Sequence, residues 1–195
     1  LLPTAVYRED FRDIIMATNG GGIYGHIPLH ALGDLNYQAW FGGTSVDVDD
    51  STAVDLLEEP GIFEVQDFDV DYLGGASLTW LTPLTGLQFT GSWMRARDVE
   101  AEFLTTAEGN AGFGIPFPPA FPGSMTFPKF TIAAIGMEYS VGRFTLAAEQ
   151  MTLDGAAFLA IPTIGVEIRQ PQHQLGQYIM LSCQVTDELV LGSYY

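Results

Sequence analysis

The chain has 195 residues, with 7 Lys plus Arg against 24 Asp plus Glu and a formal charge of -17. That balance excludes a nucleic-acid partner, which needs clustered cations to neutralise phosphates, and the single Cys183 excludes an internal disulfide framework. Charged residues make up only 16%, below the roughly 25% typical of soluble domains, so something other than charge must cover the surface.

One β domain of this length is ordinary. No run of about 18 or more apolar residues occurs, which excludes a membrane-spanning helix. The opening LLPTAVYRED lacks the basic and apolar regions of a signal peptide, so a mature chain or a piece of a longer one is expected.

A leading loop, residues 1–21, runs into the glycine-rich TNGGGIYG at 18–25. Without a Walker lysine or a following helical pattern, this stretch reads as tight backbone at a strand entrance rather than a phosphate loop. Period-2 alternation then sets in. Gly22–Leu29 and Leu35–Gly43, separated by His30 to Asp34, predict a first hairpin over about 22–43.

A connector over about 44–69 follows. Its core, DVDDSTAVDLLEEPGIFEVQDFDVD at 47–71, holds ten carboxylates and no basic residue. Asp47, Asp49, Asp50, Asp55, Glu58 and Glu59 are read as a solvated acidic outer loop, in which Ser51 would cap a short helix through Ala53 to Leu57. Hard-oxygen ligation of Ca²⁺ is weighed against this, but the spacing of an EF-hand loop is not met.

The second hairpin, about 70–95, turns at Thr82-Pro83-Leu84-Thr85-Gly86, with Pro and Gly placed as turn chemistry expects. The next connector, about 97–129, contains GIPFPPAFPG at 114–123, whose prolines argue against a central ladder. Gly142-Arg143 joins the strands of a third hairpin, about 130–153. A last connector, about 154–175, carries Pro162 and Pro171. The fourth hairpin, about 176–195, turns at Thr186-Asp187-Glu188. Short and long links therefore alternate, as in an up-and-down meander with elaborations at one end.

The strands have unlike faces. Leu35, Tyr37, Ala39 and Phe41 oppose Asn36, Gln38 and Trp40. Leu87, Phe89, Gly91 and Trp93 oppose Gln88, Thr90, Ser92 and Met94. Ala133, Ile135, Met137 and Tyr139 oppose Ala134, Gly136, Glu138 and Ser140, and Phe144, Leu146 and Ala148 oppose Thr145, Ala147 and Glu149. A soluble sandwich would expose charged faces, whereas these polar sides are mainly Gln, Thr, Ser, Gly and Ala. A wet lumen suits them, with lipid on the other face and strand pairing satisfying backbone groups that hydrocarbon cannot. The residues expected to line water are Asn36, Gln38, Ser77, Thr79, Gln88, Thr90, Ser92, Glu138, Glu149, Ser182 and Gln184. Aromatic residues near strand ends, among them Tyr24, Tyr37, Phe41, Tyr72, Trp80, Trp93, Tyr139, Phe144, Tyr178, Tyr194 and Tyr195, suit an interfacial girdle. Arg95 and Arg97 extend the apolar face of Leu87 to Trp93, where they would snorkel to headgroups.

No catalytic constellation emerges. His26, His30 and His173 lack metal-ligand spacing, Glu138 and Glu149 read as lumen-lining charge rather than an acid–base pair, and Cys183 reads as a small apolar filler. No enzyme activity, metal or cofactor is expected.

The segments LLPTAVYREDFRDIIMATNGGGIYG, LGDLNYQAWFGG, LTWLTPLTGLQFTGSW, GMEYSVGRFTLAAEQ and GQYIMLSCQVTDELVLGSYY resemble porin-like outer-membrane proteins of Gram-negative bacteria, in the broad group containing phosphate-selective porin-like chains. The resemblance implies a transmembrane antiparallel β-barrel of which this chain is an internal fragment carrying about eight strands. It also implies outer-membrane lipid and small hydrophilic solutes as partners, and leaves homo-oligomer formation open. Two residue patterns depart from it: the expected inner faces lack the cations of a phosphate-selective constriction, and Cys183 stands where an outward aromatic is expected. An acidic outer loop would instead favour cations. The alternatives are a small closed structural or adhesion barrel without a pore, and a soluble secreted β-sandwich binding carbohydrate through Trp40, Trp80 and Trp93.

Overall fold

The computed structural model describes residues 19–45, 58, 61–112, 114 and 120–195. In chain order these form β1 (Asn19–Pro28), β2 (Asp34–Ser45), β3 (Phe63–Leu81), β4 (Leu87–Thr105), a short helix α1 (Ala107–Gly112), β5 (Pro122–Val141), β6 (Phe144–Ile161), β7 (Val166–Gln184) and β8 (Val190–Tyr194). All eight strands belong to one antiparallel sheet, in the order β1 to β8, each beside its sequence neighbours. The chain is therefore all-β and up-and-down. Among the described residues β1 and β8 are not paired with each other. No helix of these residues is long and apolar enough to cross a membrane.

Four tight links gather at one end of the sheet, and each has a local cause. Leu29 N–H donates to Gly33 O at 2.8 Å, closing the β1–β2 turn. In the β3–β4 turn Gly86 has φ +85°, and a Cβ there would lie 1.8 Å from Ser140 O of β5. At β5–β6, Gly142 with φ +59° is the first of two linking residues, which is the glycine position of a type II′ hairpin. The fourth turn closes with Val185 N–H to Leu189 O at 2.9 Å.

The opposite end corrects the expected connectors. Residues 63–69, 97–105, 122–129, 154–161 and 166–175 are strand rather than loop, so β3 and β4 each run to 19 residues and β5 to 20. The β6–β7 link shrinks to a 3₁₀ turn at Pro162–Ile164 plus Gly165. The prolines are accommodated by position. Pro122 opens β5, and Pro128 falls where the β5–β6 register shifts between Thr126 and Phe130. Pro171 pairs with Ala156 of β6, but β8 covers only the stretch of β7 beyond Ile179; the other side of β7 is an edge at Pro171. The expected helix at 53–57 lies outside the described residues, as do 113 and 115–119 of the proline-rich stretch. Helix α1 was not expected; Thr106 Oγ1 accepts from Gly109 N–H at 3.0 Å at its start, as capping hydroxyls do.

Side-chain alternation slips by one residue along a line across three strands. Two successive residues are exposed at Asp71–Tyr72 in β3, at Arg97–Asp98 in β4 and at Pro128–Lys129 in β5. Asp98 itself has φ +51°, the left-handed conformation in which a bulge residue sits. Beyond the slip, Val65, Phe68, Val70, Val99 and Ala101 join Leu73 and Ala96 in one buried cluster, with Trp40, Met94, Met125, Phe127 and Phe130 packed against it. Asp67, Asp69, Glu100 and Glu102, on the other face there, are all exposed. Between the slip and the tight turns the arrangement reverses. There the face carrying Ile23, Phe41, Leu78, Ile135 and Ile179 is apolar and exposed; Ile135 is 66% and Phe41 63% accessible.

The six side chains on which an apolar exterior depends, Leu35, Phe41, Leu87, Phe89, Ile135 and Leu146, are half-buried or exposed. No second sheet covers them among the described residues. A two-layer sandwich is thereby corrected to a single sheet. The three tryptophans do not share a face: pairing puts Trp80 and Trp93 on one face and Trp40 on the other.

Two predictions follow from this packing. Gly86→Ala, which places a methyl against Ser140 O and forces a left-handed alanine, is expected to cost about 1–2 kcal/mol or more, while Gly91→Ala, with open space at its Cβ, leaves the denaturant midpoint unchanged. Phe68→Ala, at a side chain 4% accessible, is expected to cost about 3–5 kcal/mol in the same unfolding measurement.

Candidate pore-lining face

Pairing register, not proximity, decides which side chains share a face, because directly opposed residues point the same way. From β2 to β7 one row reads Asn36, Thr79, Thr90, Gly136, Glu149, Tyr178, and the next reads Gln38, Ser77, Ser92, Ala134, Met151, Gly176. Toward the tight turns a third row reads Gln88, Glu138, Ala147, Met180, Tyr194, and a fourth Ser140, Thr145, Ser182, Gly192. Gln184, two residues beyond Ser182, continues this face beside Val190. All eleven residues expected to line water therefore occupy one face of one sheet.

The distribution of burial marks that face as the concave side of the sheet. Leu73, Ala96, Ala147, Leu153 and Tyr178 are buried on it, whereas no apolar side chain larger than alanine is buried on the opposite face between the slip and the turns. Side chains converge on the concave side of a curved sheet and spread on the convex side.

The polar residues expected to line water are exposed or half-buried on the concave face. The Ser140 and Thr145 hydroxyls bond each other at 2.9 Å. Asn36, Gln38, Thr90, Ser92, Glu138 and Gln184 are exposed, and Ser77, Thr79, Gln88, Glu149 and Ser182 are half-buried. Glu138 and Glu149 are diagonal rather than opposed, since Glu138 faces Ala147 and Glu149 faces Gly136. Glu149 Oε1 is shielded from solvent without a hydrogen-bond partner. The described Lys and Arg residues are Arg95, Arg97, Lys129, Arg143 and Arg169. By register Arg95, Arg97, Lys129 and Arg169 lie on the convex face, and Arg143 sits in a turn.

Some expectations about individual residues change. Tyr24, Tyr178 and Tyr194 fall on the concave face by register, so they leave the proposed girdle. Tyr37, Tyr72, Trp80, Trp93, Tyr139 and Phe144 stay on the convex face. Trp80 stacks on Phe89 at 5.7 Å and its Nε1–H donates to Leu32 O at 2.8 Å, tying an amphipathic ring to a tight turn. Cys183, half-buried, is on the convex face.

The acidic loop is only partly within the described residues: Asp47, Asp49, Asp50, Asp55 and Glu59 lie outside them. Glu58 is not simply solvated, since its Oε1 accepts from Val65 N–H at 2.7 Å. His173 sits in a strand, with Nδ1 2.6 Å from Asp154 Oδ1. Among the described residues no group of three or more His, Cys, Asp or Glu is placed to hold a metal ion.

Residues that sequence reasoning missed on the concave face are Met151 and Tyr178, which pack together with Ala147 and with Met180, a residue whose alternation with Ile179 and Leu181 already put it beside Ser182. Their even or odd placement relative to Glu149 and Ser182 was the available signal. Comparison with protein-family models, curated proteins and solved structures gives no match.

Because the Glu149 carboxylate carries charge on an oxygen without a donor, Glu149→Gln is expected to raise the thermal unfolding midpoint, by about 1 kcal/mol in stability. Glu138→Gln, at an exposed site, leaves it unchanged.

Proposed function

We propose that this chain forms part of the wall of a porin-like β-barrel in a bacterial outer membrane, through which small hydrophilic solutes diffuse passively. The observation that carries the reading is an uncovered apolar convex face, including Ile135, Phe41, Leu78 and Ile179, backed by a concave face of Gln, Ser, Thr and Glu. Hydrocarbon favours that exterior, and continuous strand pairing satisfies the backbone there. The convex apolar stretches, 72–80 in β3, 133–141 in β5 and 175–183 in β7, approach the about 9–11 residues of a transmembrane strand. Gln177 interrupts the β7 stretch, but its amide donates to Gln150 Oε1 of neighbouring β6 at 2.8 Å, which offsets the cost of burying both amides.

On this reading the lumen prefers cations. Asp34, Glu138 and Glu149 are its charged side chains between the slip and the turns, and none of the described Lys or Arg side chains faces it. Closure of the wall needs a partner for the outer edges of β1 and β8 and for the part of β7 before Ile179 that β8 does not cover, which further strands of a wider barrel would supply. The apolar cluster around Val70 and Leu73 favours a second reading, a closed structural or adhesion barrel whose far end is filled.

Planar-bilayer recording in a salt gradient tests the proposal. Expected are ohmic steps with a reversal potential of cation preference, displaced toward anions by Glu138→Lys with Glu149→Lys. Anion preference in the unaltered chain contradicts the bias, insertion without conductance selects the closed barrel, and recovery of the folded chain from detergent-free buffer contradicts the membrane placement.

A further inference from the structure

Three of the chain's 7 Lys and Arg residues converge on the convex face at the slip. Arg97 of β4 is the direct cross-strand partner of Lys129 of β5, and Arg95 is the partner of Thr131. Tyr72 of β3 pairs with Arg97 on the other side. The Arg95 guanidinium lies 4.9 Å from the Trp93 ring centroid, and its Nε–H reaches Thr131 Oγ1 at 3.4 Å. Trp93 is also the last apolar side chain of the convex face of β4 before these cations.

Like charges directly opposed on a sheet repel, and this chain has carboxylates to spare. Asp71 and Asp98 lie at the same slip, yet among the described residues the one salt bridge is that of His173 with Asp154. Arg95, Arg97 and Lys129 thus form an uncompensated cationic cluster, with Arg97 and Lys129 exposed, at the rim of an apolar belt. We infer that Arg95, Arg97 and Lys129 bind the phosphate of an anionic lipid headgroup whose acyl chains lie along the belt below. Charge complementarity selects the headgroup, since a guanidinium and an ammonium engage phosphate oxygens by charge-assisted hydrogen bonds. Apolar continuity from Trp93 to Gly91 and Phe89 selects a lipid over a free anion. The inference rests on the membrane placement proposed above.

The test uses the full chain with Trp93 as its sole tryptophan (Trp40→Phe, Trp80→Phe), reconstituted in phosphatidylcholine vesicles. A minor fraction of brominated phosphatidylglycerol is compared with the same fraction of brominated phosphatidylcholine. Enrichment at the site makes the anionic lipid the stronger quencher, on the order of five-fold per engaged cation. Arg97→Gln with Lys129→Gln cuts the difference to the roughly five-fold of the one remaining cation, Arg95, while Arg143→Gln retains it in full. Equal quenching by the two lipids in the parent chain overturns the inference and leaves the membrane placement standing. Abolition of the difference by inorganic phosphate at constant ionic strength overturns it in favour of a free-anion site. Absence of quenching in a wholly brominated phosphatidylcholine bilayer refutes the membrane placement, and the inference with it.

Discussion

Strand pairing carries facing from one strand to the next, so a strand that shifts its alternation by one residue leaves its neighbours the choice of shifting with it or burying the wrong side chains. In this sheet β3, β4 and β5 shift together. The line through Asp71–Tyr72, Asp98 and Pro128–Lys129 divides each long strand into two parts with opposite exteriors. Without it, Val70, Val99 and Phe127 would extend the exposed apolar face, and Asp69 and Glu100 would point inward. With it, the apolar side chains turn inward to pack as one cluster, and the carboxylates turn out.

Two consequences of different kinds follow. Energetically, the inward cluster supplies the sheet's main buried core, at roughly 25 cal/mol per Å² of apolar surface removed from water. That holds the extended ends of β3 to β5 together although Asp69 directly opposes Glu100 and Asp67 opposes Glu102; the repulsion is weak where both members are solvated. Geometrically, the slip sets the height at which the apolar exterior stops. The cations at Arg95, Arg97 and Lys129 mark that height, with Tyr72 and Trp93 beside them.

The portions nearest the tight turns were legible in the sequence because alternation, turn residues and composition agree there. Gly86 and Gly142 fixed two turns, and eleven polar residues separated in sequence fell on one face because each obeyed the same two-residue period. The far portions were misread as loops. Asp67, Asp69, Glu100 and Glu102 are poor strand residues by propensity, and prolines at 122, 128 and 171 reinforced that impression. The period was nonetheless present: Phe68 and Val70 alternate with Asp67, Asp69 and Asp71, and Val99, Ala101 and Phe103 with Glu100 and Glu102. What a single sequence does not carry is the phase between the two portions, which is set by partners on adjacent strands. The phase between adjacent strands likewise put Tyr24 and Tyr194 in a girdle, whereas Tyr178 stands four residues before Ser182 in one strand and shares its face by the two-residue period alone.

Nitroxide scanning along β4, residues 87–103, in reconstituted vesicles addresses the central point, that hydrocarbon touches the convex face up to the slip and not beyond. The account predicts oxygen accessibility peaking at odd positions from 87 to 93, and accessibility to a water-soluble nickel chelate taking over at Asp98, Glu100 and Glu102. Nickel accessibility at 89, 91 and 93 equal to that at 100 and 102 would contradict it.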